Sequence, residues 1–350
     1  MAKNRKKKKS ITRQPKQTAV KVEQKRILVT GGLGFIGHKV VEQLQKQNHR
    51  VEVIDVLTTY GLLDKDQLEY LYNERLAKFR EDTIIHKIDV AEIELVNDIF
   101  VKFKPDYVIH LASFPNEKLA SENPVEAAHT MCQGLANILE NSARHNIKRL
   151  LYVSSSMVLG SFSDETSPQG VTELHNTDPT GSYAIWKHAG EKLVENFNKQ
   201  HNLDYVTVRP SAVYGPLDNC DRVVGKFILN AKADRTLSVK GEDERLDFTY
   251  VDDLAEGIIS AMLKGKTGIY HLARGDARTI KEAAETAVKI AGKGTVEIID
   301  RDKNMPSRGT LNIDKAKTDL NFDPKINIEE GIKLYHDWII NSVYWSKKTL

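Results

Sequence analysis

The chain is poor in cysteine and has no long apolar run. Its 350 residues include only Cys132 and Cys220. Two cysteines are too few for a disulfide framework or a cysteine zinc site, so we expect reduced thiols, no metal site and a cytoplasmic location. No stretch of 18 or more apolar residues occurs, which argues against a membrane-spanning helix. The start, MAKNRKKKKS, is followed by polar residues, so no secretory signal is predicted.

Positive charge is concentrated at the amino terminus. Residues 1–26 hold 11 Lys or Arg and one acid, whereas the remainder holds 40 basic and 47 acidic residues. We therefore predict a mildly acidic folded body that follows a disordered basic tail over residues 1–24. Such a tail could attract nucleic acid or anionic lipid without specificity, or could simply be solvated. We predict no specific nucleic-acid partner.

A glycine cluster follows the first short apolar run in RILVTGGLGFIGHKVVEQLQKQNHRVEVIDV, residues 26–56. The pattern predicts a strand, a tight turn, a helix and a second strand. Gly32, Gly34 and Gly37 fit G-x-G-x-x-G, and Gly31 with the last two fits G-x-x-G-x-x-G. Such a turn brings backbone N–H groups at a helix N-terminus close to a pyrophosphate. A turn that serves only close packing is the alternative.

An acidic residue, Asp55, ends the second predicted strand. A carboxylate at this place accepts hydrogen bonds from the ribose hydroxyls of a dinucleotide and repels a 2′-phosphate. No Lys or Arg follows directly in DVLTTYG. The sequence therefore predicts NAD, in preference to NADP, as the cofactor.

Four further short apolar runs, TIIHKIDV, DYVIHLAS, RLLYVSSS and DYVTVRPS, alternate with helical patterns. This alternation predicts an α/β fold with one open, doubly wound parallel sheet. Ligands of such sheets bind outside the carboxyl ends of the strands. Polar residues that end the runs should therefore line one edge of the sheet: Asp55, Asp89, Ser113, residues 154–156 and Ser211.

The segment GSYAIWKHAGE, residues 181–191, predicts a helix with Tyr183 and Lys187 on one face. An ammonium beside a phenol favours the phenolate and lowers the pKa of the tyrosine, so the pair could act as a general base. A packed tyrosine beneath a lysine stem is the alternative. A serine at the end of the preceding strand could bind the same substrate oxygen, which favours the catalytic interpretation.

Taken in order, VTGGLGFIG, VIHLAS, YVSSSMVLG, YAIWKHAGE, VRPSAVYGP, DFTYVDD and RGTLNIDKAK resemble extended short-chain dehydrogenases/reductases of the NAD-dependent epimerase/dehydratase family. The resemblance runs from about Arg26 to Trp338. It implies a Rossmann domain over residues 25–210 with tightly held NAD. It also implies a smaller C-terminal α/β substrate-binding domain, mainly over residues 211–345, with segments that could return to the Rossmann sheet. The expected partners are a nucleoside-diphosphate sugar and a second copy in a homodimer.

The resemblance also assigns roles to individual residues. The active hydroxyl lies five residues before Gly160, at Ser155, and joins Tyr183 and Lys187 as a catalytic group. The expected cofactor-binding residues are Gly31, Gly34, Phe35, Ile36, Gly37, Asp55, Asp89, Val90, Leu111, Ala112, Ser113 and Ser154, together with Tyr183 and Lys187. The expected substrate-binding residues are Ser155, Ser156, Ser211, Val224, Arg245 and Arg308.

Several positions depart from the family pattern. Leu159 stands where many members have Tyr, and Leu246 stands where they have Arg, with Arg245 one place earlier. Members that dehydrate or decarboxylate usually carry a carboxylate just after the active hydroxyl, where this chain has Ser156 and Met157. The resemblance therefore favours epimerisation.

We predict a 4-epimerase in which Tyr183 takes a proton from a sugar hydroxyl while NAD accepts a hydride and returns it to the other face of a transient keto-sugar. The alternatives on the same scaffold are a dehydratase, an epimerase acting at another carbon, and a ketoreductase or dehydrogenase. A nonenzymatic NAD-binding regulatory protein is the alternative from another class. The sugar and the nucleotide base are not defined by the sequence.

Overall fold

The computed structural model describes residues 23–302 and 305–347. Almost all of the tail predicted to be disordered, residues 1–22, lies outside the described residues. The strands are β1 (Arg26–Thr30), β2 (Arg50–Ile54), β3 (Ile84–His86), β4 (Tyr107–His110), β5 (Arg149–Val153), β6 (Tyr205–Pro210), β7 (Val213–Tyr214), β8 (Thr236–Lys240), β9 (Arg245–Leu246), β10 (Thr249–Tyr250), β11 (Gly268–Leu272), β12 (Arg278–Thr279) and β13 (Thr295–Ile299).

The helices that connect and cover these strands follow the same chain order. They are α1 (Phe35–Lys46), α2 (Lys65–Leu76), α3 (Ile93–Phe103), α4 (Glu117–Glu122), α5 (Pro124–Ala128), α6 (Gly134–Arg144), α7 (Ser182–His201), α8 (Val223–Lys232), α9 (Val251–Lys264), α10 (Ile280–Ala291), α11 (Asp314–Leu320) and α12 (Ile328–Asn341). A π-helical turn covers His129–Gln133 and a 3-10 turn covers Ser156–Leu159. Within the described ranges, no helix is both long enough and apolar enough to cross a membrane.

Seven parallel strands form the main sheet in the order β11, β6, β5, β4, β1, β2 and β3. Strand β1 pairs with both β2 and β4, so that Val29 lies between Val53 and Ile109. The chain therefore winds outward from β1 in two directions, which confirms the predicted doubly wound α/β sheet. The reversal opens a crevice at the carboxyl ends of β1 and β4, where ligands of such sheets bind.

Both faces of this sheet are covered, because successive residues of a strand point to opposite sides. Ile27 and Val29 of β1 pack in one core with residues of α1 and α9. Leu28, between them, packs in a second core with residues of α3 and α6. The continuous apolar runs in the sequence thus correspond to strands that are buried on two sides.

A third core lies in the carboxyl-terminal part of the chain. It gathers Phe227 of α8, Ala287 of α10, Tyr335 of α12 and Trp345. Strand β11 also comes from beyond residue 210, yet it pairs with β6 in the main sheet. The predicted division at residue 210 into two functional domains stays a prediction.

Helix α7 is fixed to the sheet by a buried polar network. Arg209 of β6 donates to both carboxylate oxygens of Glu191 on α7, at 2.8 and 2.7 Å. Ser154, directly after β5, donates to the same carboxylate at 2.6 Å. Both charged side chains are buried. Because a buried charge without its partner is costly, this network holds α7 in one position on the ends of β5 and β6.

We expect Glu191→Gln to destabilise the fold by about 3 kcal/mol, because it leaves the buried Arg209 cation without its counter-charge. Glu195→Gln is the matched control, since Glu195 of the same helix pairs with Lys199 in an exposed ion pair. That substitution should change the free energy of unfolding by less than about 1 kcal/mol. Urea unfolding of both variants measures the difference. Equal stabilities would contradict the importance of the buried pair.

Candidate active site

The glycine turn joins β1 to α1 in a conformation that larger residues could not adopt. Gly31 has a φ of +69°, and its carbonyl accepts the Gly34 N–H at 3.0 Å. A Cβ added at Gly37 would lie 2.1 Å from the Gly31 oxygen. No side chain caps the N-terminus of α1 at Gly34. Close packing of backbone and an open helix N-terminus together suit the approach of a pyrophosphate.

Asp55 follows β2 at the same edge of the sheet. Its carboxylate accepts the backbone N–H of Leu33 in the glycine turn and of Leu57 in the next loop, both at 2.9 Å. Burial raises the pKa of Asp55, whereas the two backbone hydrogen bonds lower it. The side chain also lines a cavity. The structure thus places the residue that is predicted to bind the ribose beside the turn that is predicted to bind the pyrophosphate.

This cavity extends along the carboxyl ends of β1, β2 and β4. The predicted cofactor residues that line it are Gly31, Gly34, Phe35, Asp55, Asp89, Val90, Leu111, Ala112 and Ser113. The Ser113 hydroxyl is buried and has no hydrogen-bond partner among the residues described. The N–H groups of the turn, the accepting carboxylate and this hydroxyl form a set of polar groups that fits a dinucleotide.

Five predicted cofactor residues do not line the cavity: Tyr183 and Lys187 of α7, and three residues that have structural contacts. Gly37 packs directly against the backbone of Gly31 and Gly32. Ile36 packs against the core formed by the sheet, α1 and α9. Ser154 directs its hydroxyl to Glu191 inside the protein. Their placement is structural, and any contact they make with a cofactor stays a prediction.

Helix α7 brings Tyr183, Lys187 and Ser155 together. The ammonium of Lys187 lies 5.7 Å from the centroid of the Tyr183 ring and donates to the Val153 carbonyl at 2.7 Å. The Ser155 hydroxyl lies close enough to the Tyr183 phenol to lower the pKa of that phenol. The structure therefore places the three predicted catalytic side chains in one cluster at the end of β5.

The charge state of this cluster differs from the expectation. Burial raises the pKa of Tyr183; Arg222 and the Ser155 hydroxyl lower it, and Glu117 raises it further. Burial also lowers the pKa of Lys187 to about 7, against an opposing effect of Glu191. The prediction that Lys187 lowers the Tyr183 pKa is thus not met by the side chains alone, because the amine is itself desolvated and is directed to a backbone carbonyl. The effect expected from a positive nicotinamide stays a prediction.

The predicted substrate residues lie in three parts of the structure. Ser155, Ser156 and Ser211 are buried at the carboxyl ends of β5 and β6, and the Ser156 hydroxyl has no partner in the described part of the chain. Val224 is buried in the carboxyl-terminal core. The remaining two residues, both arginines, lie elsewhere.

Arg245 and Arg308 each lie near an acidic side chain, Asp164 and Glu244 respectively. Arg245 lies 3.7 Å from the Asp164 carboxylate and donates to the Ala277 carbonyl. Burial lowers the pKa of Arg308 to about 10, and the nearby Glu244 raises it. No recorded contact within residues 23–302 and 305–347 joins either arginine to Tyr183, so their substrate role stays a prediction.

Sequence reasoning missed two arginines. Arg222 lines the cavity and lies 6.0 Å from the centroid of the Phe35 ring. Its positive charge lowers the pKa of Tyr183. Buried Arg75 donates to the Leu33 carbonyl at 2.8 Å and to the Leu217 carbonyl at 2.7 Å. Arg222 could have been found, since the segment YGPLDNCDRVVGKF follows the carboxyl end of β6, where ligands of such sheets bind. The partners of Arg75 are backbone carbonyls, which leave no pattern in the sequence.

The cluster can move a proton between the Tyr183 phenol and a bound hydroxyl, with Ser155 as a second hydrogen-bonding group. A cavity for an extended, anionic ligand adjoins it through Arg222. In the described ranges, no group of three or more His, Cys, Asp or Glu side chains could hold a metal ion. The arrangement suits acid–base chemistry on a hydroxyl beside a dinucleotide.

Comparisons with known proteins agree with this geometry. The sequence model described as "NAD dependent epimerase/dehydratase family" matches residues 27–273. A UDP-glucuronate 4-epimerase of Thermodesulfobacterium geofontis is 30% identical, with 92% of this chain and 96% of that protein covered. UDP-glucuronic acid decarboxylase 6 of Arabidopsis thaliana is 32% identical, with 89% and 88% covered.

Solved structures give the same result. A UDP-glucose 4-epimerase of Thermotoga maritima, solved with UDP-glucose, has a TM-score of 0.79 at 26% identity, covering 89% of this chain and 98% of that one. A UDP-glucose 4-epimerase of Thermus thermophilus, solved with NAD, has a TM-score of 0.79 at 26% identity, covering 91% and 100%.

We expect the protein to bind NAD+ at least about ten-fold more tightly than NADP+, because the Asp55 carboxylate repels a 2′-phosphate. Asp55→Asn should weaken NAD+ binding and reduce this preference. Isothermal titration calorimetry with both nucleotides measures the two affinities, and the thermal midpoint verifies that the variant is folded. Comparable affinities of the unmodified protein for both nucleotides would overturn the role assigned to Asp55.

Proposed function

This chain belongs to the NAD-dependent epimerase/dehydratase family, and on that premise we propose that it inverts C4 of a nucleoside-diphosphate sugar. NAD is the cofactor. The observation that carries the proposal is the cluster of Tyr183, Ser155 and Lys187 at the end of β5, beside the dinucleotide cavity. Relatives named for UDP-sugar epimerisation, dehydration and decarboxylation support the class of substrate.

The proposed roles follow from the contacts of each side chain. NAD, when bound, supplies the reversible oxidation of the sugar carbon. Tyr183 takes the proton of the sugar hydroxyl, and Ser155 donates a hydrogen bond to the same oxygen. Lys187, fixed by the Val153 carbonyl, holds its amine beside the phenol ring. Gly31, Gly34 and Asp55 bind the adenosine and pyrophosphate half of the cofactor.

The residues after the active hydroxyl favour epimerisation over a net reaction. Ser156 is buried and Met157 is apolar, so neither can protonate a leaving group or assist loss of a carboxylate. Decarboxylation is one alternative, since a relative named as a decarboxylase is 32% identical to this chain. Dehydration is a further alternative, since a dTDP-glucose 4,6-dehydratase of Streptomyces niveus is 27% identical. Epimerisation, like decarboxylation and 4,6-dehydration, returns the cofactor to its starting state, which separates all three from a ketoreductase or dehydrogenase.

The remaining expectations are proposals of the same kind. The part of the chain after residue 210 is proposed to close over the sugar, with Val224, Arg245 and Arg308 among its contacts. A homodimer and a cytoplasmic location also stay proposals. Size-exclusion chromatography with light scattering would establish the number of copies in solution.

We expect the purified protein to interconvert one pair of C4 epimers among UDP-, GDP-, CDP- and dTDP-sugars without added NAD. Proton NMR of the products identifies the sugar and the carbon that changes. Loss of C6 as carbon dioxide would show a decarboxylase instead of an epimerase. Formation of a stable 4-keto-6-deoxy sugar would show a dehydratase. No conversion of any sugar would contradict the proposed function.

We expect Tyr183→Phe to lower turnover by about 10²-fold or more, because the ring is kept and the proton acceptor is lost. Lys187→Met should also lower turnover, since it removes the amine beside the phenol. Tyr205→Phe is the matched control: this tyrosine is buried on the neighbouring strand β6 and should leave turnover unchanged. Turnover and thermal midpoint are measured for all three. Full activity in Tyr183→Phe would end the proposed mechanism.

A further inference from the structure

We propose that Glu117 is a positioning residue, which places Tyr183 by capping helix α7 from outside and which sets the pH range of the reaction through its negative charge. The inference rests on the proposed function of Tyr183 as the base. Glu117 is the first residue of the short helix α4, and it lies 66 positions before Tyr183. It carries the proposal because its contacts fall on the turn of α7 that presents the phenol.

The N-terminus of α7 has no cap of its own. Gly181 precedes the helix and lacks a side chain, so the first backbone N–H groups of α7 need another acceptor. One carboxylate oxygen of Glu117 accepts the N–H of Ser182 at 2.8 Å, and the other accepts the N–H of Tyr183 at 2.9 Å. A single side chain thus binds the backbone of the proposed base directly.

The carboxylate is also held from its other side. The Ser121 hydroxyl, one turn further along α4, donates to it at 2.6 Å. Gly181 has a φ of +88°, and a Cβ added there would lie 2.4 Å from the carboxyl carbon of Glu117. The positive φ favours glycine at this position, and the absence of a Cβ leaves room for the carboxylate. The contact is a built feature of the site.

The cap connects the base to the cofactor cavity. Helix α4 follows the segment after β4, whose residues Leu111 and Ser113 line the cavity. Tyr183 and Trp186 pack against the small apolar cluster around Phe114 in the same part of the chain. Because Glu117 joins this segment to the first turn of α7, it fixes the distance between the phenol and the ligand in the cavity.

The charges around Tyr183 determine the direction of the electrostatic effect. Arg222, before α8, favours the phenolate, and Glu117 of α4 opposes it. On α7 itself the amine of Lys187 lies near the ring, and the phenol of Tyr152 faces the site from β5. Tyr60 packs in the same apolar cluster. Within the described residues, Glu117 is the acidic group that raises the pKa of the phenol, and it also accepts the backbone N–H of Tyr183.

Replacing the carboxylate by an amide separates charge from capping. Glu117→Gln keeps one oxygen that accepts a helix N–H group but removes the negative charge, so the phenolate becomes more favourable. The pKa of Tyr183 should fall, and the acidic limb of the turnover profile should move to lower pH. Glu122→Gln is the matched control, because Glu122 lies on α4, is exposed and pairs only loosely with Lys118. It should leave both measurements unchanged.

Removing the side chain tests the positioning effect. Glu117→Ala loses the cap as well as the charge, so kcat should fall about ten-fold or more while KM changes little, because the phenol is misplaced relative to the reacting hydroxyl. The rate should be largely restored in Glu117→Gln. If Glu117→Ala lowers only the thermal midpoint, with the pH profile and kcat of the folded protein unchanged, Glu117 is merely structural and the proposal is overturned.

A second measurement keeps this test independent of the substrate. The NAD-loaded protein is labelled with 13C at the tyrosine ζ carbon, and the Tyr183 signal is assigned by its loss in Tyr183→Phe. The pKa read from this signal should fall in Glu117→Gln. A fall without turnover of any sugar nucleotide would support Glu117 and contradict the proposed function, whereas an unchanged pKa in an active enzyme would contradict the Glu117 proposal alone.

Discussion

The hydrogen bond from the Lys187 ammonium to the Val153 carbonyl is the contact on which the arrangement of the site depends. It joins the second turn of α7 to the last residue of β5, and Ser155 follows that strand two residues later. A phenol one helical turn before the lysine therefore arrives beside the serine hydroxyl. This contact therefore helps to fix the distance between the two hydroxyl groups that are proposed to bind one substrate oxygen.

Helix α7 is held at three levels, and each uses a charged or polar group in a poorly hydrated place. Glu117 binds its N-terminus, Lys187 in the second turn binds β5, and Glu191 binds Arg209 one turn later. Apolar side chains could hold a helix against a sheet at lower desolvation cost. The polar contacts have a direction, however, so they define the rotation of the helix about its axis, which apolar packing defines less sharply.

The parts of the site that are contiguous in the sequence were predictable, and those that depend on distant backbone groups were not. The glycine turn and Asp55 lie within one βαβ segment, so spacing alone predicted their meeting at the cavity. Arg75 and Glu117 bind carbonyl and N–H groups far along the chain, which any residue could supply. Spacing also predicted the pairing of Tyr183 with Lys187 but not its desolvation, because burial is a property of the assembled core.

Strand β11 has a consequence for the order in which a nascent chain can assemble. The strands beside the dinucleotide cavity, β1, β2 and β4, have all left the ribosome once residue 110 has emerged, and β6 is complete at residue 210. Its outer edge then has no neighbour until residues 268–272 are synthesised, because β11 is the strand that pairs with it. During the translation of nearly 60 residues, the sheet presents an open edge that could pair with another chain. The late return of β11 makes the emergence of residues 268–272 the step that completes the sheet and moves its edge from β6 to β11.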